Sequence, residues 1–194
     1  AGIGHAFQAA KYDQDYRPLD RMRAYLSEMD ATAAESPSAV AFPRVLAAVG
    51  PRMLELARDG ADGAHPFAQP VSHTPYARGI LGPDKLLIPQ QTVLLGGRED
   101  ARAHVRHSVA QAREFQVKVY IAGWKRLGYT EADITGPSDR FVDDLVLWGD
   151  AATIAKRVAE VLDAGADHVL LTPAATTFES TVDLLAELAP AVLR

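Results

Sequence analysis

The chain has 194 residues, 48% hydrophobic and 23% charged, enough for one domain with its own core and too apolar for a disordered segment. A net charge of -5 and a pI near 5.7 argue against a nucleic-acid footprint, and no apolar run is long enough to span a membrane. The lack of cysteine excludes disulfides, thiolate nucleophiles and thiolate-held metals. Length also bears on architecture: an eight-unit (β/α) barrel takes ~250 residues, about 31 per unit, so 194 residues supply roughly six units.

In chain order, Ala1-Gly2-Ile3-Gly4-His5 has neither the basic nor the apolar region of an export signal, which predicts a cytoplasmic protein. Its two glycines would let backbone approach a ligand closely, although a frayed terminus explains the same residues. Thr32 to Ala41 reads as a loop. Val45–Val49 reads as a strand, and Gly50-Pro51 as a turn that sets proline at a first helical position. The helix continues through Met53, Leu54, Leu56 and Ala57, and Gly60 and Gly63 close it around Ala61-Asp62.

From His65 to Gln90, five prolines predict a long loop, the kind of segment that often carries function. Gln91–Leu95 reads as a strand, followed by a helix from Glu99 to Leu127 with the stripe Val105, Val109, Ala112, Val119 and Leu127. Ser138 caps a predicted helix carrying Phe141, Val142, Leu145, Val146 and Trp148. Asp150 caps the next, whose Ile154, Val158, Val161 and Leu162 share one face and which Gly165 stops. Asp167–Thr172 reads as a buried strand, and a last helix runs through Val182, Leu184, Leu185 and Leu188. Strands and helices that alternate in this way predict a parallel α/β protein, here in a single domain without internal repeats.

Ligands of parallel α/β folds bind at the C-terminal ends of strands, where helix starts present free amides. Ala48-Val49-Gly50-Pro51-Arg52 is such a turn and suits a phosphate, although Gly-Pro before a helix is also plain geometry. Asp62-Gly63-Ala64-His65-Pro66-Phe67 leads toward His73, Thr74 and Tyr76, all donors to phosphate or carboxylate oxygens, or else a polar surface loop. His104 and His107 offer two ligands at i, i+3, too few for a metal, so no metal site is expected. Asp143-Asp144 reads as a solvated face, and His168 as a packing residue. The chain holds no Gly-x-Ser-x-Gly elbow, Walker loop or Gly-x-Gly-x-x-Gly fingerprint.

Several segments together resemble the luciferase-like monooxygenase superfamily, most closely its actinobacterial branch of coenzyme F420-dependent oxidoreductases. They are Gly2-Ile3-Gly4-His5, Tyr16-Arg17-Pro18-Leu19 to Leu26, and Arg44 to Leu54. Gly60-Ala61-Asp62-Gly63-Ala64-His65-Pro66, Trp148-Gly149-Asp150 and Asp163 to Val169 complete the pattern. The resemblance covers essentially the whole chain.

It implies a (β/α)8 barrel that binds F420, or alternatively FMN, at its C-terminal mouth. Hydride would pass between C5 of F420, or N5 of FMN, and a small organic substrate. By the same resemblance Gly50, Pro51 and Arg52 fall in the phosphate turn, His65, Pro66 and Phe67 follow the next strand, and Thr74 lies in the loop that holds the cofactor tail. Gly4 and His5 fall at about the fourth strand near the ring, with His5 the candidate for proton transfer. The first three strands and their helices have no counterpart, so the chain is expected to be the C-terminal portion, about strands 4–8, of the barrel. The open edge this implies favours a homo-oligomer, with neither nucleic acid nor membrane as partner. A flavin-dependent monooxygenase and a non-catalytic cofactor-binding or assembly half-barrel are the alternatives.

Overall fold

In the computed structural model, which describes residues 17–35, 42–114 and 118–193, helices and parallel strands alternate through most of the chain. Gly4 and His5 lie outside the described residues. Helix α1 (Pro18–Glu35) starts on a proline, whose missing amide costs nothing there, and buries Met22 and Leu26 one turn apart. It takes in the first part of the segment read as a loop from Thr32.

Then come β1 (Val45–Ala47), α2 (Pro51–Gly60), β2 (Gly63–His65), α3 (His73–Leu81) and β3 (Leu86–Leu87). They are followed by β4 (Gln90–Leu95), α4 (Arg98–Glu114), α5 (Lys118–Arg126), α6 (Glu131–Thr135) and α7 (Asp139–Leu145). The chain ends with β5 (Val146–Gly149), α8 (Ala151–Asp163), β6 (Leu170–Pro173) and α9 (Phe178–Val192).

The strands form two parallel sheets, ordered β1-β2-β3 and β5-β4-β6, and among the described residues there is no closed barrel. The sheets are joined by the chain itself, since only Ile88 and Pro89 separate β3 from β4. On one side of this junction the Ile88 and Gln90 amides donate to the carbonyls of Ala64 and Pro66, both at 2.9 Å. On the other side the Asp167 and Leu170 amides donate to the carbonyls of Leu87 and Pro89 at 2.9 and 3.0 Å. The result is one parallel array, β1, β2, the β3–β4 run and β6, with β5 also paired to β4; among the described residues β1, β5 and β6 each pair on one side only. Gly63 is required where β2 meets β3, because a Cβ there would stand 2.3 Å from the Leu86 carbonyl oxygen.

Alternation along the strands decides what each face touches. Leu46, Ala64 and Leu87 point into a core with Met22, Leu54 and Leu81 of α1, α2 and α3. Ala47 and Leu86 face the other way and are exposed. The second sheet is covered on both faces, by α4, α5 and α7 against Leu94 and by α8 and α9 against Val93 and Leu147.

Several sequence expectations change. The segment read as a loop from His65 to Gln90 contains α3 and β3. The single helix expected from Glu99 to Leu127 is two helices. Val146 and Trp148 belong to a strand, and the strand expected over Asp167–Thr172 begins at Leu170. Other expectations hold: Asp150 caps α8 by accepting the Thr153 amide at 2.8 Å, Ser138 caps α7 by accepting that of Phe141, and Gly165 adopts φ 109° after α8.

Candidate functional site

A cavity of about 390 Å³ opens beyond the C-terminal end of β2 and at that of β6, over the first half of β4 and beneath α4 and α5. Three aromatic rings form part of its wall: Phe67 just after β2, and Tyr120 and Trp124 on α5. Phe67 and Tyr120 stand 6.4 Å apart between ring centroids. His104, Ser108 and Gln111 on α4 also line it, at i, i+4 and i+7, and therefore on one helix face. The apolar stripe Ala101, Val105, Val109 and Ala112 of the same helix is buried in the core. Trp124 and His104 line one cavity although a straight helix would set them about 30 Å apart at ~1.5 Å per residue, so α5 turns back over α4.

The floor is built from Ala68, Gln69, Gln90 and Thr92. Ala68 adopts φ 53°, the one non-glycine residue with positive φ among the described residues. Such a conformation persists only where the surroundings fix it, and here they do. The Ala68 amide donates to Gln90 Oε1 at 3.1 Å, and its carbonyl accepts Gln69 Nε2 at 2.9 Å and Trp124 Nε1 at 3.3 Å. Gln69 Nε2 also donates to the Phe67 carbonyl at 3.3 Å, so two carbonyls fix the orientation of this amide. Its Oε1 is buried without a partner, as is that of the neighbouring Gln91.

Burial, and secondarily His107, lowers the pKa of His104, and burial raises that of the Tyr120 phenol. Both groups are neutral at pH 7.

The sequence-predicted turn lies next to this cavity. Gly50, Pro51 and Arg52 begin α2, which no side chain caps. A Cβ on Gly50 would meet nothing within 4 Å, so the turn opens to free space. The neighbouring Val49 carbonyl accepts the His73 Nε2 proton at 2.9 Å, which ties the start of α3 to the start of α2. Thr74 follows, 1% exposed, and Thr74 Oγ1 and His73 Nδ1 are buried without partners. Gly123 of α5 joins the two regions, since a Cβ there would touch both Gln69 Oε1, at 2.8 Å, and Val49 Cγ1, at 3.7 Å.

The start of α3 already has its anion. Asp144 Oδ1 accepts the Ser72 amide at 3.1 Å, and Oδ2 accepts the Tyr129 hydroxyl at 2.5 Å. This corrects the reading of Asp144 as a solvated residue and leaves α2 as the uncapped helix start of the pair.

The structure thus brings Gly50, Pro51, Arg52 and Thr74 into one neighbourhood and puts Phe67 on the cavity wall. His65 donates Nδ1–H to the Ile88 carbonyl at 2.6 Å, and the Pro66 carbonyl accepts the Gln90 amide, so both brace the strand junction. Sequence reasoning missed Gln69, Gln90, Thr92, Ser108, Tyr120 and Trp124. For Ser108 a signal exists: with His104 and Gln111 it forms a polar stripe beside an apolar one. Among the described residues no group of three or more His, Asp or Glu could hold a metal, and no helix is long and apolar enough to cross a membrane.

The sequence matches no family model and no curated protein. Solved structures do share its fold. An F420-dependent secondary alcohol dehydrogenase in complex with an F420–acetone adduct is similar with a TM-score of 0.63 at 15% identity, over 98% of this chain and 68% of that one. For apo-MsnO8 the TM-score is 0.56 at 17% identity, over 94% and 63%. For the coenzyme F420-dependent tetrahydromethanopterin reductase of Methanopyrus kandleri it is 0.51 at 17% identity, over 77% and 50%. The chain therefore shares an α/β fold with these proteins, and it spans between a half and about two thirds of their length.

Proposed function

We propose that this chain is the cofactor-holding part of an oxidoreductase that passes a hydride between coenzyme F420 and a small organic substrate. The observation that carries this reading is the uncapped start of α2 at Gly50-Pro51-Arg52, set against a cavity walled by aromatic and neutral polar side chains. The fold likeness to F420-dependent enzymes supports it.

The residues fit such a cofactor, which joins a flat ring to a phosphate-bearing tail. Pro51 has no amide, and the Met53 and Leu54 amides donate to the Gly50 carbonyl at 3.1 and 3.0 Å. A phosphate there would therefore meet the Arg52 amide, the positive end of the α2 dipole and the exposed Arg52 guanidinium, which suits bidentate contact. His73 stiffens the turn through Val49, whereas Thr74 keeps its hydroxyl buried, out of a ligand's reach. The cavity volume of about 390 Å³ falls within the range of roughly 300–1,000 Å³ typical of ligand pockets. Phe67, Tyr120 and Trp124 wall that cavity beside the turn and would keep water from the molecule that meets the cofactor ring. Bound F420 would supply the hydride chemistry at its ring; the chain's part is to hold the tail, place the ring against substrate and keep the pocket dry.

Fluorescence titration of F420 with the folded protein tests the reading. Binding is expected, and Arg52→Ala should weaken it about tenfold, the loss of one charge-assisted contact. FMN serves as the competing cofactor. If neither cofactor binds the folded protein, the reading fails.

A further inference from the structure

The cavity under α4 and α5 also says what kind of molecule enters it. We propose that it binds an uncharged, ring-bearing molecule with hydrogen-bonding substituents, of the phenol or aryl ketone class. Calling this molecule the substrate rests on the oxidoreductase reading; that it binds there does not.

Three observations converge. The first is the absence of charge. Among the described residues that line the cavity there is no Asp, Glu, Lys or Arg, whereas a wall of that size drawn at random from a chain with 23% charged residues would carry several. The directions in which burial moves His104 and Tyr120 keep these two groups neutral as well. An ionised ligand would therefore lose its hydration without gaining a counter-charge.

The second observation is the pairing of ring faces with polar edges. Phe67, Tyr120 and Trp124 supply the faces, while His104, Ser108 and Gln111 supply donors and acceptors in a row along α4. A purely apolar molecule would leave that row unpaired, and a purely polar one would waste the rings. The third is the floor, where Gln69 is 2% exposed and its Oε1 has no partner although its Nε2 is held by two carbonyls. That oxygen lies against Gly123 of α5, so the floor presents a fixed, uncharged amide, which the strained backbone of Ala68 holds in place.

Isothermal titration at pH 7 with 4-hydroxyacetophenone and 4-hydroxybenzoate tests the proposal, because the two share ring and hydroxyl and differ in charge. The ketone should bind at least tenfold more tightly than the benzoate. Ser108→Phe, which fills the cavity, should abolish ketone binding with the circular-dichroism melt unchanged. If that variant does not fold, His104→Ala and Gln111→Ala should each weaken the ketone severalfold. Equal or tighter binding of the benzoate, no binding of the ketone to folded wild-type protein, or undiminished binding to the folded variants would overturn the proposal. A parallel F420 titration separates the two readings. Ketone binding without F420 binding defeats only the oxidoreductase reading, and F420 binding without ketone binding defeats only this one.

Discussion

His73 shows how one side chain serves both the fold and the site. Burial, with Arg126 adding to it, lowers the pKa of this imidazole below the ordinary value of 6.5, although the bond to the Val49 carbonyl acts in the opposite direction. The folded protein therefore holds His73 neutral, with the proton on Nε2, at pH values where the unfolded chain has begun to take up a second proton. The stabilisation is complete above pH 6.5 and lost as pH falls toward the folded-state value, with a slope of up to about 1.4 kcal/mol per pH unit from this one group. Melting curves between pH 7 and pH 5 should show that slope in the wild type and a reduced one in His73→Gln, whose amide can still donate to Val49. Identical slopes would place the titration elsewhere. Gln69 and Gln90 make a different point at the same scale. Neither belongs to a sequence motif, and each acquires its role from Ala68, whose φ of 53° no local pattern announces.

At the scale of elements, legibility followed length and punctuation. Helix α8 was readable because Asp150 and Gly165 bracket a clean apolar face, and the start of α2 because Gly50-Pro51 follows an apolar run. Strands β2 and β3, with 3 and 2 residues, are too short for any period to show. Helix α3 was hidden by Pro75 and Gly79, yet Pro75 falls in its first turn, where the missing amide has no intrahelical partner to lose. Helix α7 passes directly into β5 without a glycine or proline between them, so a continuous helix was the natural reading.

What holds these short elements in register is also not local. Arg78 of α3 donates Nε to the Gly165 carbonyl at 2.8 Å, Nη1 to the carbonyls of Gly82 and Lys85 at 2.7 Å each, and Nη2 to Asp167 Oδ2 at 2.6 Å. The Leu87 amide donates to that same carboxylate oxygen at 2.7 Å. Burial pushes the Asp167 carboxyl up, but the Leu87 amide and Arg78 together outweigh it and hold the group below its usual range. This brace lies at the N-terminal ends of β3 and β6, away from the cavity, where stability rather than chemistry is expected. Arg78→Ala should therefore cost about 2–4 kcal/mol in denaturant unfolding at pH 7. It should leave ligand affinity in the folded protein unchanged. A loss below about 0.5 kcal/mol would mean that the brace is replaceable by water.

For the whole molecule, composition and the order of elements point to the parallel α/β class; among the described residues the strands form an open array with β1, β5 and β6 at its edges. The candidate site was legible only in part. The turn at Gly50-Pro51-Arg52 and Phe67 can be singled out, whereas His65 and Pro66 brace the strand junction, Thr74 is buried, and the cavity is assembled by α5 folding back over α4, a tertiary event with no signature in spacing. The proposed function sets the phosphate of a ring-bearing cofactor at the start of α2, beside that cavity. It is tested most directly by comparing the affinities of F420 and its phosphate-free chromophore, 8-hydroxy-5-deazariboflavin, for the same folded protein. F420 should bind at least tenfold more tightly, with the difference shrinking in Arg52→Ala; equal affinities, or a difference that the substitution leaves intact, would rule this anchor out.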